Sequence, residues 1–561
     1  MAWHVMPDYD SYDAAREQFA WSFPDEYNPA VDCLRKHEEP DPTDRLALVD
    51  AATDEQYTFA DLDRASGRLA TALAGLGIGT GHRVGVVGPQ RPETPISHLA
   101  LWKLGAVTVP LTTLFGRDAL AFRLDDAGAT AVLADPVVRD DLAAATAECP
   151  SLEAVVEFES RPWYVGEPEP AEDVTFDCER YSSESLVADA GAEFEPVEAT
   201  PTTETAIMYT SGSTGPPKGV RHGHALWLGR AAAAYNFFEG GLGAGTVTWT
   251  PADWAWGSAL GGLLLGSWHY GATVVAAPMQ GFDPAAAFDL CADRDVSHAL
   301  APPTALRMLM NEEPEASDLA LDVVATAGEP LTPEILEWAA GEFDDLTINE
   351  YYGQTELNLV VANAQRWFPV RPGSMGKPLP GYDVTILDPD TGEQLPPGEV
   401  GEIAVRPHDE RVFFTEYLNR PEATAEKTDG EWYLTDDHGY RDEDGYLWFE
   451  ARADDVIITS GYRVGPLEVE QVLLDHSAVE QVGVVGVPDD TRGEIIKAFV
   501  EPTPDADPGD DLRRALRERA RDRLATYEYP REIAFVDALP MTASGKVRRV
   551  ELREREHSGG E

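Results

Sequence analysis

The sequence predicts an α/β fold that ends in a small α+β domain, and three observations carry this. Residues 57–140 alternate amphipathic helical stretches with short apolar strands, the rhythm of a parallel sheet covered by helices on both faces. From about 370 to 450 the rhythm changes to short strands and turns, as in YDVTILDPDTGEQLPPGEVGEIAVR, which predicts a small barrel or sandwich. Beyond Arg452, VEQVGVVGVPDD and EIIKAFVEP read as strands and DLRRALRERARDRLA as a helix. The linker to that last unit is placed near Ala453–Asp455, dividing the chain into residues 1–453 and 454–561.

Taken in order, YTFADLDRASGRLATALAGLG is an amphipathic helix with a glycine stop. RVGVVGP is a buried strand, and SHLALWKLGAVTVPL is a helix running into a strand. Residues 158–205 are acidic and rich in proline, and read as loop. The strand–helix rhythm resumes in GATVVAAP, VSHALAPPTALRMLM and LDVVATAGEPL. Trp254 to Phe282 carries no Asp, Glu, Lys or Arg, a run long enough to span a bilayer. Its six glycines and His269 favour a buried helix followed by a buried strand instead.

At 561 residues the chain exceeds one core, since domains average about 100–200 residues. The net charge is −57 and hydrophobic content is 43%, so packed interiors are available and disorder is disfavoured. The acids are spread evenly. We read that as adaptation to a salt-rich cytoplasm, where a Debye length of about 3 Å at molar salt hides like charges from one another. No basic face is visible, which argues against nucleic-acid binding. Cys33, Cys149, Cys178 and Cys291 are scattered, without zinc spacing or a disulfide framework. The N-terminus has no apolar segment of a signal peptide. A reducing, cytoplasmic setting is expected, with monomer and homodimer both open.

The chemistry concentrates in YTSGSTGPPKGV, Tyr209 to Val220. Gly212 and Gly215 free the backbone to aim N–H groups at an anion. Thr210, Ser211, Ser213 and Thr214 add hydroxyls, and Lys218 adds charge. The spacing does not match the common Walker loop, because Lys218 follows Pro217 and no Ser or Thr follows it.

This loop resembles the phosphate loop of the adenylate-forming superfamily, in particular its AMP-forming acyl-CoA synthetases. The further motifs of that family follow in order: AGEP (Ala327–Pro330), NEYYGQTE (Asn349–Glu356), WYLTDDHG (Trp432–Gly439), FEARADDVIITSGYRVGPLEVE (Phe449–Glu470) and LPMTASGKVRR (Leu539–Arg549). The resemblance spans residues 55–550 and implies a large N-terminal domain of two doubly wound subdomains plus a small β-barrel, then a mobile small domain. It also implies the substrates ATP and coenzyme A, with Mg²⁺ and a carboxylic acid.

The resemblance assigns roles. Thr210 to Lys218 would hold the outer phosphates. Gly328, Glu329 and Pro330, with Glu350, Tyr351 and Tyr352, would line the adenine, and Gly353 and Gln354 complete that motif. Thr355 would contact the α-phosphate and reacting carboxylate, and Glu356 would hold Mg²⁺. Asp437 would accept from the ribose, with Arg452 beside it. Lys546 would enter the site for adenylation. Rotation about Asp454 would then present Ser460, Gly461 and Tyr462 to the pantetheine arm, with Arg463 near the reaction centre and Arg492 a candidate for a coenzyme A phosphate. Arg513, Arg514, Arg517 and Arg521 read as a solvated helix face, with aid to coenzyme A as the alternative.

Three departures stand out. Asp436 replaces the family's usual glycine before Asp437, and Ala451 replaces the glycine before Arg452. Glu528, in YEYP, stands where similar medium-chain members carry lysine. Acetate-specific members plug the acyl pocket with a tryptophan at the position of Gly353, so glycine there predicts a deeper pocket, with Trp256 on its wall. Medium-chain or branched acids are favoured, aromatic or short-chain acids are the alternative, and acetate should be poor. Competing readings keep adenylation but load a carrier protein, or make the chain a non-catalytic nucleotide sensor or a membrane transporter.

Overall fold

The computed structural model describes residues 3–37, 45–166, 174–212, 215–312, 319–328, 331, 333–343, 345–389, 391–452, 457–464, 466–489, 491–504, 506–540, 547 and 549–558. Ser213, Thr214, Glu329, Pro330, Asp454 with the expected linker, and Lys546 lie outside the described residues. So do the side chains of Ser211, Arg452 and Arg463.

Among the described residues three sheets form. The first has eight strands in the order Phe414–Tyr417, Gly215–Gly223, Glu204–Gly212, Val107–Leu111, Arg83–Val87, Ala131–Ala134, Ala154–Glu157 and Glu179–Ser182. Its centre is parallel, and the βα alternation of residues 57–140 builds it as expected. The helix Phe59–Gly75 starts on a capping box of Thr58 and Asp61, and Gly77 at φ 88° turns the chain out of it. The expected loop 158–205 contains an edge strand, Glu179–Ser182, and a short helix, Ser183–Val187. That strand pairs only on one side and is largely exposed. Its charged sequence gives no apolar alternation to read, as befits a guarded edge.

The second sheet has fourteen described strands. Its parallel part runs through Leu46–Asp50, Thr273–Ala276, Val247–Trp249, His298–Leu300, Val323–Thr326 and Thr347–Gln354. The chain then reverses, and Asn358–Ala362, Ser374–Pro378, Leu447–Arg452, Trp432–Arg441, Gly401–Pro407 and Tyr382–Leu387 continue it antiparallel. The strands expected as a small barrel are therefore hydrogen-bonded onto the parallel sheet through Thr347–Gln354. The helix Ala225–Phe237 is buried along its whole length and leads from the first sheet into the second.

The charge-free stretch forms a π-helical segment, Ser258–Leu265, then a helical turn, Gly266–Tyr270, and the strand Thr273–Ala276. Among the described residues no helix is long and apolar enough to cross a membrane. The third sheet joins Tyr462–Val464, Ile457–Thr459, Gly493–Pro502, Val479–Asp489 and Glu532–Phe535 in the small C-terminal domain, packed by the helices Pro466–Leu474 and Asp510–Arg523.

Candidate active site

The strand Thr347–Gln354 organises the site by alternation. Side chains two apart share a face of a strand, and here Glu350, Tyr352 and Gln354 do. The Tyr352 hydroxyl donates to Asp437 Oδ2 at 2.7 Å, and Gln354 Nε2 donates to the same oxygen at 2.7 Å and to the Thr435 carbonyl at 2.8 Å. Asp437 is buried, and Arg452 stands opposite it in the antiparallel pairing. Glu350 accepts from the backbone N–H of Leu331 at 3.2 Å, tying the strand to the segment after Gly328. Burial raises the Glu350 carboxyl to about 8, so it carries its proton near neutrality.

Tyr351, expected on the adenine, faces the other way. Its ring stacks on Phe237 at 4.6 Å, and it is 3% exposed. Alternation decides this, because its neighbour Tyr352 already occupies the nucleotide face.

Gly353 also differs from expectation. A Cβ there would run into the carbonyl oxygen of Asn358 and lie 2.7 Å from Leu359 Cα, both on the returning strand. The pairing shifts register at this point. The glycine lets two backbones meet; it is not an opening left in a pocket wall.

Glu356 follows in the turn. The Tyr417 hydroxyl donates to its Oε1 at 2.7 Å, and its own carbonyl accepts from Phe414 N–H at 2.7 Å. Tyr417 lies on the strand paired with Gly215–Gly223, and Lys218 Nζ sits 5.0 Å from its ring centroid. Burial and the Glu356 charge hold Tyr417 well above the usual phenol range, so it remains a donor. Lys218 itself stands opposite Thr210 on the hairpin whose tip pairs Gly212 with Gly215. One tyrosine thus links the phosphate hairpin to the carboxylate expected to hold metal. Thr355 sits beside Glu356 and meets the buried His222 through its backbone.

Mg²⁺ fits this donor set. Among the described residues no group of three His, Cys, Asp or Glu could cage a metal, and Mg²⁺ typically uses one or two carboxylates and takes its remaining ligands from phosphates and water.

Asp436 explains its own departure. It adopts φ 57°, a left-handed conformation that glycine takes freely and Asp tolerates better than most residues. Lys427 forms an ion pair with it, and its N–H donates to Glu402 Oε1 at 3.0 Å.

On the small domain, Ser460 at φ 51° and Gly461 at φ 77° form the turn of the hairpin Ile457–Val464, the two positive angles of a tight hairpin. Arg492 Nη1 donates to Ser460 Oγ at 3.2 Å. The hairpin rests on the large domain: a Cβ on Gly328 would lie 3.5 Å from the Gly461 carbonyl oxygen, and one on Gly461 would lie 3.2 Å from Pro302. Tyr462 stacks on Tyr527 at 3.9 Å, and Trp256 meets both rings edge-on at 5.8 and 6.1 Å. Trp256, expected on the acyl wall, therefore belongs to the interface with the small domain. Asp253 nearby accepts from Thr112 Oγ1 at 2.5 Å, and burial raises it to about 6. The described contacts thus bring the hairpin bearing Ser460–Tyr462 against the large domain. Val547, next to Lys546, packs against Gly483 inside the small domain.

Sequence reasoning missed two residues. Tyr417 becomes visible only through strand pairing. Arg230, on the helix Ala225–Phe237, is 2% exposed and has no hydrogen-bond or ion-pair partner among the described residues. It lies against Gly257 and Gly261 and within electrostatic range of Glu356. Burial lowers it to about 10, still protonated. Its only sequence signal was a lone charge in an apolar helix.

This fold and site define an enzyme that seats a nucleotide where a large α/β domain meets a small one. A family model described as AMP-binding enzyme matches residues 34–410, and one for the AMP-binding enzyme C-terminal domain matches residues 468–546. The chain belongs to the AMP-binding enzyme family. It is 33% identical over 565 residues to the mitochondrial acyl-coenzyme A synthetase ACSM3 of Mus musculus, covering 98% of this chain and 94% of that one. It is 34% identical to human mitochondrial ACSM4, covering 96% and 92%. Among solved structures, an acyl-CoA synthetase of Brucella canis is 32% identical with a TM-score of 0.70, covering 99% and 100%. The o-succinylbenzoate CoA synthetase of Bacillus subtilis, bound to a product analogue, is 26% identical with a TM-score of 0.78, covering 94% and 98%.

Proposed function

We propose that the protein is an AMP-forming acyl-CoA synthetase. A carboxylate oxygen attacks the α-phosphorus of ATP, the bond to the bridging oxygen breaks, and diphosphate leaves. The thiol of coenzyme A then attacks the acyl carbon, loses its proton and displaces AMP. One observation carries the reading: Tyr352 and Gln354 on the strand Thr347–Gln354 hold the buried carboxylate of Asp437, and Tyr417 joins the buried Glu356 of the following turn to the hairpin bearing Lys218.

In this reading Asp437 accepts from the ribose hydroxyls, and Glu350 braces the adenine loop through Leu331. Thr210, Lys218 and the hairpin backbone hold the outer phosphates. Glu356 would hold Mg²⁺, which supplies charge neutralisation across the phosphates. Arg230 and Lys546 offset the negative charge of carboxylate and phosphate as they meet. The hairpin Ser460–Tyr462 then guides the thiol arm, after rotation about Asp454 at the boundary between residues 1–453 and 454–561.

The acyl group in this reading is a medium-chain or branched acid, supported by the resemblance of GYRVGPLEVE and RGEIIKAFV to medium-chain members of the family. An aromatic acid is the second reading, favoured by the likeness to the o-succinylbenzoate enzyme. The even spread of acid supports work in a salt-rich cytoplasm. Diphosphate release in molar KCl, with ATP, Mg²⁺ and coenzyme A, tests this across acetate, butyrate, octanoate, laurate and benzoate. A maximum at octanoate is expected. A maximum at benzoate moves the reading to aromatic acids, and acetate alone overturns the chain-length reading.

A further inference from the structure

A buried cation stands close to the candidate metal carboxylate without a counter-charge of its own. The chain holds 100 acidic and 43 basic residues, so a basic side chain finds a carboxylate easily. Other buried cations do: Lys103 pairs with Asp63, and Arg91 with Glu93 and Asp135. Arg230 is 2% exposed and has no such partner among the described residues.

The groups that face Arg230 leave its charge uncovered. Four described side chains lie within electrostatic range, namely Tyr351, Tyr382, Glu356 and His222. Burial raises the Tyr351 hydroxyl to about 12 and holds Tyr382 above the usual phenol range, so both are neutral. Burial, and then the Arg230 charge, lowers His222 to about 3, so its ring is neutral as well. That leaves Glu356, whose Oε1 already accepts from Tyr417 at 2.7 Å and which is expected to serve Mg²⁺. The surroundings are otherwise apolar and close. A Cβ on Gly257 would lie 3.1 Å from Arg230 Nη2 and 3.4 Å from the Met208 sulfur, and one on Gly261 would lie 2.9 Å from Arg230 Cγ and 3.1 Å from the Trp227 ring. Gly261 belongs to the π-helical segment Ser258–Leu265, and such segments gather at functional sites.

We propose that Arg230 holds a halide ion in the free enzyme, and that the carboxylate of the acid displaces it. The displacement rests on the acyl-CoA synthetase reading; the halide site does not. A buried charge is costly unless it is paired. The guanidinium is weakly hydrated, and chloride is small enough for a close-walled site that two glycines shape. Mass action fills even a weak site at molar salt. Exchanging one anion for another keeps Arg230 compensated before and after the acid arrives. It also makes chloride a competitor of the acid.

Two measurements test this. The first is anomalous diffraction from crystals of the whole protein in potassium bromide, without nucleotide or acid. A bromide peak on the Arg230 guanidinium is expected, and it should vanish when octanoate and ATP are added. Peaks confined to surface residues, an adventitious ion only, overturn the proposal without any variant. The second is ATP–diphosphate exchange at constant potassium, with chloride replaced stepwise by the bulkier methanesulfonate. KM for octanoate should rise linearly with chloride while kcat holds; a site half-filled at about 0.2 M chloride gives a rise of about tenfold at 2 M. In Arg230→Gln, KM should be high in both salts and indifferent to chloride. Equal KM in chloride and methanesulfonate in the wild type overturns the competition, and so does an unchanged chloride dependence in Arg230→Gln, which would mark a general salt effect. Absence of exchange with every acid would instead sink the synthetase reading, while the bromide position is read without turnover.

Discussion

Glu350 and Lys546 give the sharpest tests at the scale of single residues. Glu350 has its carboxyl raised from 4.5 to about 8 by burial. Its neutral form therefore contributes stability that is fully present below pH 4.5 and lost as pH rises through about 8. Glu350→Gln keeps an acceptor for Leu331 N–H without the charge. Its advantage over the wild type should open above pH 4.5 and level off above about 8, at a few kcal/mol. Denaturant midpoints across pH read this directly, and parallel curves would refute it. Lys546→Ala should abolish ATP–diphosphate exchange yet leave thioester formation from supplied acyl-adenylate nearly intact; loss of both would remove its assigned role. The site was legible here because its residues sit in short contiguous motifs. Tyr417 was not, because it reaches Glu356 only through a strand pairing nearly two hundred residues removed from Lys218. Arg230 was not, because an isolated charge in an apolar helix says nothing of what faces it.

Strand and turn geometry corrects the reading of Gly353. Its role as an absent plug came from comparing side chains, whereas the constraint lies in the backbone of Asn358 and Leu359. Gly353→Ala should therefore lower stability by on the order of 2 kcal/mol or more and cut activity on all acids together. A change confined to long acids would restore the pocket interpretation. Period-two alternation likewise decides between Tyr351 and Tyr352, a distinction available in the sequence once the strand is placed. The strands of 370–450 were legible as strands; the sheet they extend was not, since local pattern does not name a pairing partner. The edge strand Glu179–Ser182 was hidden by the charges that protect it.

Charge acts on the molecule as a whole. At −57, self-repulsion opposes the compact state in dilute buffer and fades with salt. Thermal midpoint and activity should both rise from dilute to molar KCl, and they should do so with KCl and NaCl alike. A flat midpoint would show that the acids are no adaptation to salt. The two-domain layout and most elements were legible because apolar periodicity survives this acid load. The seating of one domain on the other was not, because it depends on the hairpin Ile457–Val464 meeting Gly328, Pro302 and Trp256.

That meeting makes the protein its own optical gauge. The indole of Trp256 belongs to the large domain, while the phenols of Tyr462 and Tyr527 belong to the small one. Any rotation that withdraws the hairpin must uncover the indole to water and part it from both rings. Trp256→Phe, subtracted from the wild type, isolates that emission among the thirteen tryptophans. Each turnover then becomes visible as a colour change, without a label attached.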